Sequence, residues 1–388
     1  MKRLLSILLS LCLTAGLLTA CGGGESAEES SAAASSESAE PTSSEEKVAM
    51  IDLAQYSHHA DAHFPKVTVY KDLAYGDRRD RPDEGDGCST GKVDSFGHGY
   101  DRHRSGQNFD LYLPSDLSAD SPVFVLIHGG AWCQPSDKDT EEVIGMGGQI
   151  ADKGFVVVAI DYMMQADLTA DPTAKTYADA TFDTMLRDID TLMTYLKTFL
   201  PGIGVTPSKI AVGGGSAGGY LSTAYAYDAA CPDQLGLSLR HDLPVGFVVN
   251  VVGPVDYSSE QWMSAANAAL LAMPAYGALF GSLIADKTES VELRERLAKY
   301  SPLSMVNPNT PPTILLYNQL AAEDDPLMQS CGLPSDGLVP VFTYGNMGAA
   351  LADAGVPHTG KLLQNAIHGT VDADWICEQM LAYRSYLS

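Results

Sequence analysis

Residues 211–220 read AVGGGSAGGY and contain a serine whose neighbours suit nucleophilic chemistry. Ser216 is the centre of a G-x-S-x-G pattern, between an apolar strand-like run and a helix-like run that starts near Ala217. Small neighbours allow a sharp strand-to-helix turn, which projects the serine hydroxyl out of a sheet. The Ala217 amide would then lie at a helix N-terminus, where an oxyanion is stabilised. The pattern predicts a serine nucleophile; a structural glycine-rich loop or a nucleotide-binding turn is the alternative.

A second glycine motif supports the same chemistry. Residues 127–132 read IHGGAW and follow a continuous apolar run. Gly129 and Gly130 leave their amides unobstructed by side chains, so these amides can supply the other half of an oxyanion hole. Trp132 adjoins this loop, and we predict that it lines the substrate pocket. A core aromatic is the equally weighted alternative for Trp132.

Together the two motifs resemble the esterase and lipase branch of the α/β-hydrolase superfamily. The nearest likeness is to its hormone-sensitive-lipase-like and feruloyl-esterase-like members, and it covers about residues 105–385. The resemblance implies that Gly129, Gly130 and Ala217 form the oxyanion hole through backbone amides. It also implies that His128 is structural, and that a Ser-acid-His triad works without a metal or an organic cofactor.

The triad order of this fold places the base after the acid, near the end of the chain. His368, in the run AIHGT at 366–370, is the last histidine and precedes a predicted terminal helix at 375–386. We therefore predict His368 as the general base. His358 and His241 are the competing histidines.

The acid is the point at which the chain departs from the family pattern. A short His-Gly loop is usual after the strand at 313–317, whereas this chain has Asn318 and Gln319 followed by an acidic stretch. Asp336 matches the D-x-x-V-P spacing of the family, and we predict it as the triad acid. The alternatives that remain open are Asp325, Asp324 and, with least support, Asp256.

Buried apolar runs alternate with helical patterns in the rest of the chain. This alternation predicts an α/β-hydrolase fold, with a mostly parallel sheet covered by helices on both faces. Ligands of such sheets bind at the carboxyl ends of the strands. Residues 258–300 look helical and are predicted to form a small cap, with a scaffold helix pair as the alternative. The predicted strands are 107–114, 122–127, 155–160, 209–212, 245–252 and 313–317, and one long helix is predicted at 177–200.

The first 49 residues carry no core pattern. Residues 1–21 read as a signal peptide of the bacterial lipoprotein type, with Cys21 as the lipid-attachment residue. Residues 22–49 are rich in Gly, Ser, Ala and Glu and are predicted to form a flexible acidic tether. Residues 50–388 are then the catalytic domain. This organisation places the protein on the extracellular face of a bacterial membrane, held by its lipid anchor alone.

Composition limits the partners and leaves the substrate open. The chain has 388 residues, 45% of them hydrophobic, and a formal net charge of −25. The apolar fraction excludes wholesale disorder, and the acidity argues against a nucleic-acid partner. We predict a serine carboxylesterase for small-molecule or oligosaccharide esters, with acetyl or feruloyl esters of polysaccharide fragments as a hypothesis by analogy. A serine peptidase of the same fold and a non-catalytic binding lipoprotein are the alternatives.

Overall fold

The computed structural model describes residues 49–76, 107–132, 137–164, 181–258, 295, 297–319, 339 and 341–388. From Val48 to Ser388 the chain is one compact unit. The predicted signal peptide with Cys21 and nearly all of the predicted tether lie outside the described residues, as do most of the predicted cap and Asp324, Asp325 and Asp336. The structure therefore does not test those predictions.

The described residues contain nine strands: β1 His58–Ala60, β2 Val67–Ala74, β3 Asn108–Pro114, β4 Val123–Ile127, β5 Val156–Ile160, β6 Ile210–Gly215, β7 Val245–Val251, β8 Thr313–Gln319 and β9 His358–Gln364. They form one sheet in the order β1-β2-β3-β5-β4-β6-β7-β8-β9. The pairs β1–β2, β2–β3 and β3–β5 are antiparallel. The pairs β5–β4, β4–β6, β6–β7, β7–β8 and β8–β9 are parallel. The carboxyl ends of the parallel strands therefore meet at one edge of the sheet.

Helices cover both faces of this sheet. The described helices are α1 Glu141–Asp152, α2 Phe182–Gly202, α3 Ala217–Asp228, α4 Pro232–Leu235, α5 Val341–Asp353 and α6 Ala373–Ala382. Helices α2, α3 and α5 pack on one face, and α1 and α6 pack on the other. None of these described helices has the length and the apolar character that a bilayer crossing requires.

Central strands are buried on both faces, which explains their unbroken apolar sequence. In β4, Val125 and Ile127 face the core under α2 and α3, whereas Phe124 and Leu126 face the core under α1. Side chains of a strand alternate between faces, so an all-apolar strand needs cover on both sides. Helix α3 is buried at all twelve residues, so the helix that follows Ser216 is enclosed by the protein.

The predicted α/β-hydrolase architecture is confirmed, and some details of its elements differ from the prediction. Strands β1 and β2 extend the sheet in a region for which the sequence predicted no elements. Helix α6 ends at Ala382 and is followed by a 3-10 turn at Arg384–Leu387, so the predicted terminal helix is shorter than expected. In the predicted cap, residues 295 and 297–299 are helical.

Candidate active site

Ser216 occupies a strained turn between β6 and α3. Its φ is 50° and its ψ is −116°, a conformation that costs about 1–3 kcal/mol for a residue with a side chain. The Ser216 amide donates a 2.7 Å hydrogen bond to the carbonyl of Val251, and its carbonyl accepts the Tyr220 amide at 3.0 Å. These two bonds hold the turn from the neighbouring strand and from the first turn of the helix. The predicted strand-to-helix context of the serine is therefore present.

The start of α3 lies directly against the backbone of the IHGGAW segment. A Cβ placed on Gly218 would lie 1.9 Å from the carbonyl oxygen of Ile127 and 2.6 Å from that of His128. Only a residue without a side chain permits this approach, which is the physical reason for the second glycine of the G-x-S-x-G pattern.

The predicted oxyanion loop faces the serine. A Cβ on Gly129 would lie 3.5 Å from Ser216 Cβ, so these two residues are in contact across the turn. Gly130, Ala131 and Trp132 all have positive φ, with values of 98°, 49° and 61°. Ala217 is the first residue of α3, so its amide is one of those that a helix leaves without an internal partner. The structure thus brings Gly129 into contact with Ser216, and Ala217 directly follows the serine at the start of α3.

Tyr162, at the end of β5, holds the backbone of this loop. Its ring stacks on the buried ring of His128 with 4.3 Å between centroids, and its hydroxyl donates to the His128 carbonyl at 3.1 Å. His128 Nδ1 lies 2.9 Å from the Gly129 carbonyl oxygen. The His128 ring is therefore part of the support of the loop, in agreement with the structural role that the resemblance implies.

Trp132 lies inside the core. Its side chain is 2% exposed and makes edge-to-face contacts with Phe182 and Tyr220 at 5.2 and 5.4 Å. This burial favours the alternative of a core aromatic over a pocket wall. The pocket role of Trp132 stays a prediction.

A buried charge cluster surrounds Lys138, just before α1. Lys138 is fully buried, and its amide donates to Asp161 Oδ1 at 2.9 Å, directly before Tyr162. Lys71 joins the cluster through Asp110 and Asp139. Four aspartates surround Lys138 Nζ, at 2.7 Å for Asp72, 3.0 Å for Asp139, 3.4 Å for Asp110 and 3.8 Å for Asp161.

The cluster keeps the ammonium of Lys138 charged. Burial alone lowers the pKa of Lys138, but the attraction of the surrounding carboxylates outweighs it, so the net shift is upward. For Asp161, burial is the larger effect and raises its pKa well above the ordinary range in spite of Lys138. Lys138 therefore ties the segment before α1 to Asp72 of β2, to Asp110 of β3 and to Asp161, directly after β5.

His368 is the histidine that the structure brings to the serine. It lies on the loop between β9 and α6, and its Nε2 is 3.0 Å from Ser216 Oγ. The competing histidines lie elsewhere: His241 Nε2 contacts Asp228 Oδ2 at 2.9 Å, and His358 Nδ1 contacts the Val356 carbonyl. A neutral imidazole at this distance can accept the hydroxyl proton of Ser216.

Asn318 holds the His368 loop from the end of β8. Its Nδ2 donates to the carbonyls of Ile367 at 2.6 Å and of Thr370 at 3.0 Å, one on each side of His368. The Ala366 amide also donates to the carbonyl of Gln319 at 3.2 Å. In the sequence, Asn318 stands out only because it departs from the family pattern. Its position directly after a predicted strand was the one signal that could have indicated a functional role.

The structure leaves the assignment of the triad acid untested. Asp324, Asp325 and Asp336 all lie outside the described residues, so the assignment of the acid stays a prediction. Asp256 is described: it is buried, and its Oδ1 accepts the amide of Ser258 at 2.9 Å and the Ser258 hydroxyl at 3.1 Å.

Comparison with known proteins identifies the family. The family model BD-FAE matches residues 109–331, which include the oxyanion loop, the serine turn and five of the parallel strands. The chain belongs to the BD-FAE family. This BD-FAE chain is 27% identical over 163 residues to the non-reducing polyketide synthase pkbA of Emericella nidulans. It is 26% identical over 130 residues to isoprenylcysteine alpha-carbonyl methylesterase ICME of Arabidopsis thaliana.

The match covers 39% of this chain and 6% of pkbA, and 34% of this chain and 27% of ICME. The chain thus spans only a small part of the length of these curated relatives. Among solved structures, a truncated carbohydrate esterase from gut microbiota superposes with a TM-score of 0.56 at 17% identity. That superposition covers 84% of this BD-FAE chain and 100% of the other chain, and it shows the shared fold.

Proposed function

We propose that this protein is a serine carboxylesterase that acts on short-chain esters. The observation that carries the proposal is the 3.0 Å contact between Ser216 Oγ and His368 Nε2, on a strained turn that faces Gly129. Membership of the BD-FAE family and the match to a plant methylesterase support the same class of reaction.

In the proposed acylation step, the Ser216 hydroxyl donates its proton to neutral His368 while Oγ attacks the ester carbonyl carbon. Negative charge then develops on the carbonyl oxygen. The amides of Gly129 or Gly130 and of Ala217 are the donors for this oxyanion, and one such donor is worth about 3 kcal/mol in other enzymes. The tetrahedral intermediate collapses, and the leaving alkoxide takes the proton from His368.

In the proposed deacylation step, His368 accepts a proton from water, which attacks the acyl-enzyme carbonyl. The same amides hold the second oxyanion, and collapse releases the acid and returns the proton to Ser216. A carboxylate on the other ring nitrogen would fix the tautomer of His368 and stabilise its imidazolium. Asp336 is the residue proposed for this role, with Asp325 as the alternative.

Hydrolysis of p-nitrophenyl acetate and butyrate by the purified protein tests the proposal. Ser216→Ala is expected to lower kcat at least about 10³-fold, because the nucleophile is lost. Ser222→Ala is the matched control: Ser222 lies on α3, the helix that follows Ser216, and among the described residues its hydroxyl bonds to two backbone carbonyls of that helix, so its loss should be nearly neutral. Full activity in Ser216→Ala would overturn the mechanism.

The acid is tested by comparing Asp336→Asn with Asp325→Asn. The true partner of His368 is expected to lose about 10⁴-fold in kcat, since the wrong tautomer is then favoured. The other variant should keep near-normal activity. Equal, small effects in both variants would exclude both residues.

The substrate is proposed to be a neutral or weakly charged ester, including acetyl esters of polysaccharide fragments. The fold is shared with a carbohydrate esterase, and the strong net negative charge disfavours anionic substrates. A panel of esters of increasing acyl length, with acetylated xylan oligomers and peptide amides included, tests this. Activity on the peptide amides alone would favour a peptidase.

We also propose that Cys21 is lipidated and anchors the protein to the outer face of the membrane. The proposal rests on the order of charged, apolar and small residues before Cys21 and on the tether-like composition after it. Detergent phase partitioning of wild type and Cys21→Ala tests it. The wild type is expected in the detergent phase and the variant in the aqueous phase; identical partitioning would exclude the anchor.

A further inference from the structure

Packing against the core contributes little to holding the loop that carries His368 in place. None of residues 364–370 is buried, and Ile367 beside the histidine is 46% exposed. Asn365 and Gly369 both have positive φ, so the loop is also bent sharply on either side of His368. A loop with few buried contacts is mobile unless hydrogen bonds fix it.

Asn318 supplies such bonds from a rigid element. It is the penultimate residue of β8, is 9% exposed, and directs both Nδ2 hydrogens to the carbonyls of Ile367 and Thr370. The orientation of the amide is fixed by chemistry, because the opposite orientation would place its oxygen against two carbonyl oxygens. The two bonded carbonyls lie one residue before and two residues after His368.

We infer that Asn318 is a positioning residue for His368, the base of the proposed esterase reaction. By holding the loop on both sides of the histidine, it keeps Nε2 within hydrogen-bonding distance of Ser216 Oγ. This inference rests on the proposed function. A misplacement of a catalytic group by about 1 Å costs about 100-fold in rate, so loss of both bonds should be felt in kcat.

The first test is Asn318→Asp, which keeps the shape of the side chain and replaces the donor by an oxygen. Asn318→Ala removes both donors without adding charge, and serves if the aspartate variant does not fold. Both variants are expected to lower kcat about 10- to 100-fold on p-nitrophenyl acetate, with KM changed less than about 2-fold.

Asn307→Asp is the matched control. The Nδ2 of Asn307 also donates to two backbone carbonyls, Ala230 at 3.1 Å and Met305 at 3.0 Å, but Asn307 precedes β8 and so lies at the opposite end of that strand. The same chemical change there should lower thermal stability and leave kcat within about 2-fold. Equal kcat losses in the two aspartate variants would show a general structural effect and overturn the inference.

A double-mutant comparison separates positioning from general damage. In a His368→Ala background, Asn318→Asp is expected to lower the residual rate less than about 2-fold, because its effect acts through a side chain that is already absent. A further loss of about 10-fold or more in that background would contradict the inference.

The rate of Ser216 labelling by a fluorophosphonate separates this inference from the proposed function. Labelling needs a serine activated by His368 but no ester substrate. A wild type that is neither labelled nor active on esters would overturn the proposed function. A wild type that labels at the same rate as Asn318→Asp and Asn318→Ala would overturn only the role of Asn318; the expected result is slower labelling in both variants.

Discussion

At the scale of single residues, the site depends on contacts that leave no space for one additional methyl group. Gly218→Ala would place a Cβ 1.9 Å from the Ile127 carbonyl oxygen, so the start of α3 must move away from the oxyanion loop. We expect a loss of about 1–3 kcal/mol in the free energy of unfolding and a loss of ester hydrolysis of about 100-fold or more. Denaturant unfolding and p-nitrophenyl acetate kinetics measure the two effects.

Gly145→Ala is the control for this prediction. Gly145 is inside α1, and among the described residues no atom beyond its chain neighbours and the local helix backbone lies within 4 Å of the position that its Cβ would take. The substitution should stabilise the helix by about 0.5–1 kcal/mol and leave activity unchanged. If Gly218→Ala behaved like Gly145→Ala, the close approach of α3 to the oxyanion loop would not exist in solution.

Lys138 allows a second prediction at this scale. Lys138→Met removes the fully buried cation and leaves its carboxylates without their main partner, which should cost about 3–5 kcal/mol of stability. Lys197→Met is the comparison, since Lys197 is 57% exposed and pairs with Asp242 at 3.1 Å; its loss should cost no more than about 1 kcal/mol. Urea unfolding measures the loss in the free energy of unfolding for both variants. Equal losses would contradict the structural importance of the cluster.

At the scale of elements, helix α6 begins immediately after the His368 loop and is capped by Asp372. The Asp372 carboxylate accepts the Trp375 amide at 3.1 Å and an ion-paired hydrogen bond from Lys361. Asp372→Ala should cost about 1 kcal/mol of stability at neutral pH. Glu378→Ala, an exposed change on the same helix, should stay within about 0.5 kcal/mol.

The contribution of this cap depends on pH in a direction that can be checked. The bonds from Lys361 and Trp375 hold the pKa of Asp372 below its ordinary value of 3.8. The unfolded chain therefore binds this proton more readily, so the stabilisation is complete above about pH 3.8 and is lost as the pH falls through the lower folded value. Thermal melting from pH 7 to 3 measures this: the difference in Tm between wild type and Asp372→Ala should become smaller only at the acid end of the range. A difference in Tm that is constant with pH would contradict the role of the ionised carboxylate.

Sequence patterns predicted those elements whose burial is regular. Strands β4 and β5 are apolar at every residue because both faces are covered, and the glycine motifs identify the serine turn and its loop. Strand β1 is exposed at all three residues, and β2 carries a register irregularity between Tyr70 and Leu73, so neither has a clear alternation. The role of Asn318 depends on how β8 ends beside the loop after β9, which no local spacing reveals.

At the scale of the whole molecule, charge is the property that the sequence predicts most directly. The formal net charge is −25, and about −21 of it belongs to residues 50–388. We expect kcat/KM for an anionic ester such as p-nitrophenyl succinate to rise several-fold when salt increases from about 10 mM to about 500 mM, since screening weakens repulsion. The neutral p-nitrophenyl acetate should show little change. Parallel salt dependence of the two esters would exclude this repulsion.

The contact between Ser216 and His368 joins residues that are 152 positions apart in the chain. The proposed nucleophile and the amides proposed for the oxyanion lie in the middle of the sequence, whereas the proposed base follows β9, which among the described strands pairs with β8 alone, at the edge of the sheet. Contacts of such long sequence separation form late, because chain closure is costly before other structure exists. A chain still emerging from a ribosome would thus contain Ser216 before His368 can reach it. Ester hydrolysis would then begin only after β9 has joined the sheet, and the return of this activity would mark the end of refolding.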